Sequence, residues 1–417
     1  MDWITTFEAL KSVYLDEAFS NIAINEAIEH HKGCQIGFVR TFTKGVIRDT
    51  IRLDFLIDQL ADKGVKGIKN RTLIVLRMGL YAITSLNSVP DYAAVNEAVK
   101  ISRKVSKGSD KFVNALLRSY LRIKEELLLP DNLSIKYSFP ESVVKLLSSQ
   151  YGEDTEKLLQ ALNSPAAFVI RRNTLKCKTN EKLIRVLAEE GIKAEPSIDT
   201  ELALICDRGN IISSKAYREG FFTVQSLSSI MAIESLNPEK GSRILDMCAA
   251  PGGKTTALAE MMDNDGEIVA CDVYEHRLEL INKTAERLGI SCIHTELLDG
   301  TLHNESFDNS FDYILADVPC SGLGVIPSKP EIKLRTDVNK YDELSEIQYA
   351  ILRNAMAYVK PGGYIEYSTC TLNKNENECV VNRAVDDFCS VKIVEMKTIM
   401  PYNNKIGFFY CKLRKNA

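Results

Sequence analysis

One segment constrains the fold more than any other: residues 244–256, which read Ile-Leu-Asp-Met-Cys-Ala-Ala-Pro-Gly-Gly-Lys-Thr-Thr. An apolar run ends at Asp246, a Pro-Gly-Gly turn follows, and a helical pattern begins after it. The segment therefore predicts a strand, a turn and a helix. Glycines let a backbone pass close to a ligand, and a helix N-terminus attracts negatively charged groups. Either a ligand-binding loop or an ordinary strand-to-helix turn fits this pattern.

The spacing of the segment excludes two nucleotide-binding loops. A phosphate-binding P-loop needs glycine at the position that Cys248 occupies. A dinucleotide loop needs three spaced glycines, whereas Gly252 and Gly253 are adjacent. With these two loops excluded, the ligand that best suits the segment is a small molecule that carries a carboxylate, such as S-adenosylmethionine (SAM). The predicted cofactor contacts in the loop are Asp246, Cys248, Ala249, Ala250, Pro251, Gly252, Gly253 and Lys254.

The chain from Pro238 onward alternates strands with helices, which predicts a doubly wound, mostly parallel, Rossmann-like sheet. Ligands of such sheets bind at the carboxyl ends of the strands. Asp272, at the end of the second strand, is therefore predicted to bind the ribose, and Asp299 either the adenine end of the cofactor or only its own turn. Arg277 and Asp317 are also assigned to the cofactor. The last strand, residues 407–413, is predicted to be an antiparallel edge strand.

The composition indicates a multidomain globular protein. The chain has 417 residues, 45% hydrophobic and 26% charged, without an apolar run near the ~18 residues of a membrane span. The eleven cysteines lack the spacing of a disulfide framework or a zinc site. The N-terminus lacks the pattern of a secretory signal. We expect a cytoplasmic protein without a metal or a membrane partner.

Residues 1–127 have a helical pattern throughout, with residues 73–83 as the buried central helix. Residues 100–124 contain eight basic side chains and one acid, Asp110. Four of the basic residues have helical spacing and are predicted to form one face: Lys100, Arg103, Lys104 and Lys107. Such a face either binds RNA phosphates or is an ordinary solvated surface.

Two helical segments carry a resemblance to a known domain. Residues 90–99 (Pro-Asp-Tyr-Ala-Ala-Val-Asn-Glu-Ala-Val) and 112–118 (Phe-Val-Asn-Ala-Leu-Leu-Arg) are similar to the NusB-like RNA-binding bundle. The resemblance implies that the basic face contacts RNA. We predict three domains: a NusB-like bundle at 1–127, a helical and α+β, RRM-like connector at 128–236, and a catalytic domain at 237–417.

Three motifs carry a second resemblance. Residues 246–255, residues 317–322 (Asp-Val-Pro-Cys-Ser-Gly) and residues 367–371 (Tyr-Ser-Thr-Cys-Thr) together resemble the RNA 5-methylcytosine methyltransferases of the NOL1/NOP2/Sun family. With the NusB-like segment, the resemblance narrows to the RsmB (Sun) branch, which methylates 16S ribosomal RNA. It implies a SAM-dependent class I methyltransferase fold and ribosomal RNA as the substrate, bound before or early in subunit assembly, by a monomer.

The chemistry of cytosine explains the two cysteines. Cytosine C5 is too weak a nucleophile until a thiolate adds to C6, so a covalent adduct is required. Spacing does not show which cysteine attacks. The resemblance implies that Cys370 attacks, that Cys320 assists product release, that Asp317 binds cytosine N3, and that Lys254 lies on the cytosine side of the pocket.

Rival functions remain open at this point. A transfer RNA could be the substrate, or the chain could be a non-catalytic RNA-binding or antitermination factor. The sequence also departs from the family pattern at Ser226-Leu227, Phe139 and Leu323. These departures leave the chemical motifs intact and affect the expected substrate contacts.

Overall fold

The computed structural model describes residues 1–127, 129–207 and 211–417, which form two compact units. The first unit contains Met1–Ser164 and Ile326–Thr336, and the second contains Pro165–Val325 and Asp337–Ala417. Leu128, where the predicted connector begins, lies outside the described residues. The units are defined by compactness, so the division into three domains stays a prediction.

The first unit is helical. Its helices are α1 (Asp2–Leu15), α2 (Ser20–His30), α3 (Ile36–Arg48), α4 (Thr50–Asp58), α5 (Asn70–Ser85), α6 (Asp91–Val105), α7 (Asp110–Ile123), α8 (Leu133–Tyr137), α9 (Glu141–Tyr151), α10 (Thr155–Asn163) and α16 (Ile332–Arg335). Helix α5 is the central helix, as predicted: Ile74, Val75, Leu76 and Met78 are at most 1% exposed. A helix that is apolar on every side needs neighbours on every side, and α1, α3, α4, α6 and α7 supply them.

The segment Ile326–Thr336 is fixed within the first unit by Lys333. This side chain is 1% exposed, and its ammonium donates hydrogen bonds to the Arg48 carbonyl at 2.8 Å and to Asn163 Oδ1 at 2.9 Å. It also lies 4.0 Å from the centre of the Phe139 ring. Phe139, one of the departures from the family pattern, therefore forms part of the pocket of a buried lysine.

The prediction of one basic helix face is wrong at the C-terminal end of that face. Helix α6 ends at Val105, so Lys107 lies in the turn after the helix and not at its next helical position. Lys100 pairs with Glu97 at 2.6 Å, and Arg103 pairs with Asp110 at 3.0 Å. The single acid of this region thus neutralises one of its cations.

The second unit contains a small antiparallel sheet of order β2-β3-β1-β4. Its elements are β1 (Phe168–Arg172), α11 (Asn180–Glu189), β2 (Ala194–Pro196), β3 (Ala203–Cys206), α12 (Lys215–Arg218) and β4 (Phe222–Val224), followed by α13 (Leu227–Leu236). The sequence pattern predicts strands at 168–173, 201–206 and 220–225 and a helix at 181–190. All four are present, and the three-residue strand β2 is additional. Ser226 begins α13 by accepting a hydrogen bond from the Ser229 N–H at 3.2 Å, a capping role suited to serine.

The larger sheet of the second unit is mixed and Rossmann-like, in agreement with the prediction. Its strands are β5 (Arg243–Asp246), β6 (Glu267–Asp272), β7 (Ile293–Leu297), β8 (Phe311–Asp317), β9 (Val359–Thr369), β10 (Val391–Ile399) and β11 (Phe408–Lys415). Its order is β10-β11-β9-β8-β5-β6-β7, and the five strands from β9 to β7 are parallel. The accompanying helices are α14 (Gly253–Met261), α15 (Glu275–Leu288), α17 (Tyr341–Tyr358) and α18 (Glu378–Asp387).

Two details of this sheet differ from the prediction. Strand β11 is antiparallel, but it lies between β9 and β10, so the edge strand is β10. The sequence predicts that residues 360–363, Lys-Pro-Gly-Gly, turn the chain between the preceding helix and a strand that begins at residue 364. In the structure these residues lie within β9, where the pairing with β8 is irregular. Within the described residues, no helix is long and apolar enough to cross a membrane.

Candidate active site

Asp246 anchors the loop that follows β5. Its side chain is buried, and the Thr255 hydroxyl donates a 2.7 Å hydrogen bond to Oδ2. Burial raises the pKa of Asp246 to about 7, although the hydrogen bond from Thr255 acts in the opposite direction. The carboxyl group therefore joins the start of the loop to the first turn of α14.

The two glycines have different environments. Gly252 has φ +96°, and a side chain there would lie 3.2 Å from the Ile281 Cα, so only glycine suits this position. The sequence pattern predicts that the N–H groups of both glycines lie close to a ligand, but the Gly252 N–H donates to the Ala249 carbonyl at 2.7 Å. A side chain on Gly253 would meet nothing within 4 Å. The open space of the loop is therefore at the first residue of α14.

Asp272, at the end of β6, is connected to the same loop through Arg277. The guanidinium lies 3.1 Å from the Asp272 carboxylate and donates a 3.0 Å hydrogen bond to the Ala250 carbonyl. Asp272 is 4% exposed, and a carboxylate has more acceptor positions than one arginine fills. Arg277 therefore positions both the loop and the acid that we predict for the ribose.

The Asp299 side chain makes its hydrogen bonds within its own turn. It is exposed, and its Oδ1 accepts hydrogen bonds from the N–H and the hydroxyl of Thr301 at 2.9 and 2.7 Å. This is the geometry of a turn-capping residue, the alternative that the sequence left open. Its assignment to the adenine end of the cofactor stays a prediction.

Cys320 and Cys370 lie side by side although 50 residues separate them. Their Sγ atoms are 3.4 Å apart, and both residues are partly buried. The Gly324 N–H donates to the Cys370 carbonyl at 3.0 Å, which joins the loop after β8 to the end of β9. The parallel pairing of β8 with β9 brings the two loops to the same edge of the sheet.

Lys254 and Asp317 form an ion pair beside the two cysteines. The Ser368 hydroxyl donates a 2.9 Å hydrogen bond to Asp317 Oδ1, and the Lys254 ammonium lies 4.9 Å from the centre of the Phe408 ring. Burial lowers the pKa of Lys254, but the negative charges of Asp317 and Cys370 outweigh burial and raise it overall. The pocket therefore keeps a permanent cation close to Cys370.

The sequence did not reveal two buried carboxyl groups near this site. Glu366 of β9 is fully buried, accepts a 2.7 Å hydrogen bond from the Ser235 hydroxyl, and has its pKa raised by burial to about 8. Glu376 is also fully buried. The only available signal for Glu376 was an acid within a polar segment close after Cys370, a pattern that surface helices share.

The residues fit SAM, which would supply a methyl group on a sulfonium. Gly253 borders open space at a helix N-terminus, which suits the carboxylate of the ligand. Asp272 would hold the ribose hydroxyls, and the loop from Asp246 would form one wall. The two thiols, the cation and Asp317 then form the acceptor side of the pocket, a set suited to covalent chemistry on a base.

Comparison with known proteins identifies the parts of the chain. Residues 233–414 match the family model described as 16S rRNA methyltransferase RsmB/F, residues 4–122 match the NusB family, and residues 139–212 match the RsmF/B-like ferredoxin-like domain. The Bacillus subtilis protein named "Probable ribosomal RNA small subunit methyltransferase B" is 32% identical, with 98% of both chains covered. The Escherichia coli ribosomal RNA small subunit methyltransferase B is 31% identical, with 89% of this chain and 88% of the relative covered.

Solved structures agree with these matches. The crystal structure of PH0851 has a TM-score of 0.85 and 27% identity, covering 99% of this chain and 98% of the other. A methyltransferase homolog from Pyrococcus horikoshii has a TM-score of 0.62 and 27% identity, covering 69% of this chain and all of the other. The full-length relatives and the family models together show that the chain belongs to the RsmB/F family of SAM-dependent 16S ribosomal RNA methyltransferases.

Proposed function

We propose that this enzyme methylates C5 of a cytosine in 16S ribosomal RNA through a covalent bond between Cys370 and C6 of the base. SAM-dependent methylation of ribosomal RNA follows from the family. The observation that carries the finer proposal is the pair of thiols 3.4 Å apart, next to the ion pair of Lys254 and Asp317. A scaffold that only binds RNA has no need of such a pair.

The charges around the two thiols support Cys370 as the nucleophile. The Lys254 ammonium acts on Cys370 and stabilises its thiolate, the reactive form. The pKa of Cys320 is raised well above its ordinary value by its hydrogen bond with Cys370, by burial and by the charges of Cys370 and Glu376. We therefore assign Cys320 as the protonated sulfur of the pair before addition, and as the donor in its contact with Cys370.

The proposed reaction has two bond-forming steps and one elimination. The Cys370 thiolate forms a bond to C6, which makes C5 nucleophilic, and C5 then takes the methyl group from the sulfonium. The C5 proton must afterwards leave to a base so that the C6–S bond breaks and the thiolate returns. Once Cys370 is bonded to C6, its charge no longer opposes ionisation of Cys320. We propose that Cys320 then loses its proton to solvent and that its thiolate takes the C5 proton, so that the C6–S bond breaks and the Cys370 thiolate returns.

Asp317 and Lys254 hold the base during addition. A carboxyl group that shares a proton with N3 would stabilise the negative charge that develops in the ring during addition, as preorganised groups do in other active sites. The Ser368 hydroxyl and the Lys254 ammonium fix the orientation of Asp317. The target cytosine must leave its stack to present C5 and C6 together, so the base is flipped into the pocket.

We further propose that ribosomal RNA, bound before or early in subunit assembly, contacts the helical unit of a monomeric enzyme. Lys104 is exposed, and Lys100 and Arg103 each use one carboxylate partner while remaining more than half exposed. These three residues and Lys107 could follow the RNA phosphates. A transfer RNA substrate stays the competing possibility, because the site chemistry is the same.

The proposal is tested with purified enzyme, tritiated SAM and either naked 16S ribosomal RNA or bulk transfer RNA. We expect 5-methylcytidine in the digested ribosomal RNA only. Methylation confined to transfer RNA would overturn the substrate, and a methyl group on another atom would overturn the chemistry. As a test of the nucleophile, Cys320→Ala should accumulate a denaturant-resistant protein–RNA adduct, and Cys370→Ala should form none.

A further inference from the structure

Glu376 is a buried carboxylate that accepts four hydrogen bonds. It is 0% exposed, its Oε2 accepts from the Ser321 N–H at 2.8 Å and from Gln348 Nε2 at 3.0 Å, and its Oε1 accepts from the Ser321 hydroxyl at 2.5 Å and from Asn373 Nδ2 at 3.0 Å. All four partners are donors. Four donors satisfy the two oxygens of an ionised carboxylate. If the group were an amide, its NH2 would face donors and could not accept from them.

The four donors come from three parts of the second unit. Ser321 directly follows Cys320, Asn373 lies three residues after Cys370, and Gln348 belongs to α17. The Gln348 amide also donates a 2.9 Å hydrogen bond to the Pro319 carbonyl, on the other side of Cys320. The backbone on both sides of Cys320 is therefore fixed by Glu376 or by its partner.

A second set of contacts joins the same two loops. The hydroxyls of Ser321 and Thr371 are 2.7 Å apart, so the residues that follow the two cysteines are in direct contact. The Tyr367 hydroxyl donates to the Glu376 carbonyl at 2.5 Å. Glu376 is thus held from its backbone as well as from its carboxylate, and it has little freedom to move away from the cysteine loops.

We propose that Glu376 is a positioning residue, which holds the Cys320 loop against Cys370 so that the Cys320 thiol reaches the adduct and releases the methylated RNA. This inference rests on the proposed function, because it concerns the release step. Glu376 acts on Cys320 through Ser321, the next residue along the chain. Its negative charge also opposes ionisation of Cys320, after the larger effects of Cys370 and burial.

The position of the carboxylate predicts a selective defect. Methyl transfer needs Cys370, Lys254 and the cofactor loop. The carboxylate bonds directly to Ser321, the residue after Cys320, whereas on the Cys370 side it bonds to Asn373, three residues further along the chain. Release needs Cys320 in place, and misplacing a catalytic group by about 1 Å costs on the order of 100-fold. Loss of the carboxylate should therefore slow release much more than the first methyl transfer.

The test compares Glu376→Gln with the wild type and with Glu378→Gln. Glu378 lies two residues away, accepts a hydrogen bond from Thr398 at 3.2 Å, and serves as the matched control. For Glu376→Gln we expect a first turnover within about threefold of the wild type, a steady-state rate about 10- to 100-fold lower, and a denaturant-resistant RNA adduct. Glu378→Gln should match the wild type in all three measurements.

A merely structural role would give a different pattern. In that case Glu376→Gln would lower the first turnover and the steady-state rate equally and would form no adduct, which would overturn the inference. Combining Glu376→Gln with Cys320→Ala should cause no further loss beyond Cys320→Ala alone, because both changes affect one step. A further loss of tenfold or more would also overturn it.

Two additional variants keep the test decisive. If Glu376→Gln does not fold, Ser321→Ala takes its place. This change removes one donor, keeps the backbone contact, and should give a smaller release defect of the same kind. An unchanged steady-state rate would count against the inference.

Cys320→Ala separates the two proposals. If it traps an adduct and neither Glu376→Gln nor Ser321→Ala does, the inference alone fails, and if it traps none, the proposed chemistry fails together with the inference.

Discussion

Replacing Glu260 by glutamine should open the interface between the small sheet and the cofactor-loop helix. The Arg171 and Glu260 side chains are 1% and 3% exposed and pair through two contacts, at 2.9 and 3.1 Å. Arg171 lies on β1, and Glu260 lies on α14. The same guanidinium donates to the Gly253 carbonyl at 2.6 Å and to the Thr256 hydroxyl at 3.1 Å. The pair therefore holds the first turn of the helix that borders the cofactor loop.

The magnitude follows from the burial of the pair. Burial raises the pKa of Glu260 more than the charge of Arg171 lowers it. The ionised carboxylate is therefore costly to bury, and the ion pair with Arg171 offsets part of that cost. Glu260→Gln leaves the guanidinium buried without a counterion, which costs about 3–5 kcal/mol. The contacts to Gly253 and Thr256 remain, so we expect the lower end of this range. At about 1.4 kcal/mol for each factor of ten, 3 kcal/mol increases local opening on the order of 100-fold.

Hydrogen exchange measured by mass spectrometry suits this prediction, because it reports each segment separately. Trp3, the only tryptophan, lies in the first unit and would not report on this interface. Peptides from residues 168–172 and 253–261 should exchange on the order of 100-fold faster in Glu260→Gln, and SAM affinity should fall. The exposed pair of Lys240 and Asp263 supplies the control, Asp263→Asn, with little change expected. Less than a threefold increase in exchange would refute the reasoning.

Three further predictions follow from single positions. Burial raises the pKa of Glu366 from 4.5 to about 8, so the folded state binds more protons than the unfolded state between these two pH values. The free energy of unfolding should therefore fall by up to about 1.4 kcal/mol per pH unit from pH 4.5 to pH 8. Urea titrations of Glu366→Gln should lack this slope. Gly253→Leu fills the open space at α14 and should weaken SAM binding by calorimetry at least about tenfold, whereas Gly37→Leu, also unobstructed, should not. Lys333→Met leaves buried carbonyl oxygens without a donor and should cost the first unit about 2–3 kcal/mol by Trp3 fluorescence; an unchanged midpoint would contradict this.

Sequence patterns predicted the elements that have strong local signals. Helix α5 is nearly apolar on all sides, and strands β5, β6 and β8 are largely apolar runs that end at aspartates. The order of these strands along the chain and the functional edge of the sheet could therefore be inferred. Strand β2 was missed because three residues, one of them proline, give no alternation to detect. The edge position of β10 was missed because pairing partners of closing strands depend on long-range register, which no local pattern encodes.

The candidate site shows the same division. Motif spacing was enough to bring Asp317, Cys320 and Cys370 to one edge of the sheet, and the structure places the two sulfurs in contact. The roles of Arg277 as a bridge and of Glu376 as an acceptor of four hydrogen bonds arise only from folding, because their partners are far away in the chain. For Gly252 the motif suggested a contact with a ligand, but folding pairs its N–H with the Ala249 carbonyl of the same loop.

The most direct test of the account is the identity of the covalent adduct formed by Cys320→Ala with SAM and 16S ribosomal RNA. After nuclease and protease digestion, mass spectrometry should find a nucleotide of 5-methylcytosine attached to the peptide that contains Cys370. An adduct on any other residue, an unmethylated or non-cytosine nucleotide, or the same adduct formed by Cys370→Ala would contradict the assignment of Cys370 as the nucleophile that activates cytosine for methylation at C5.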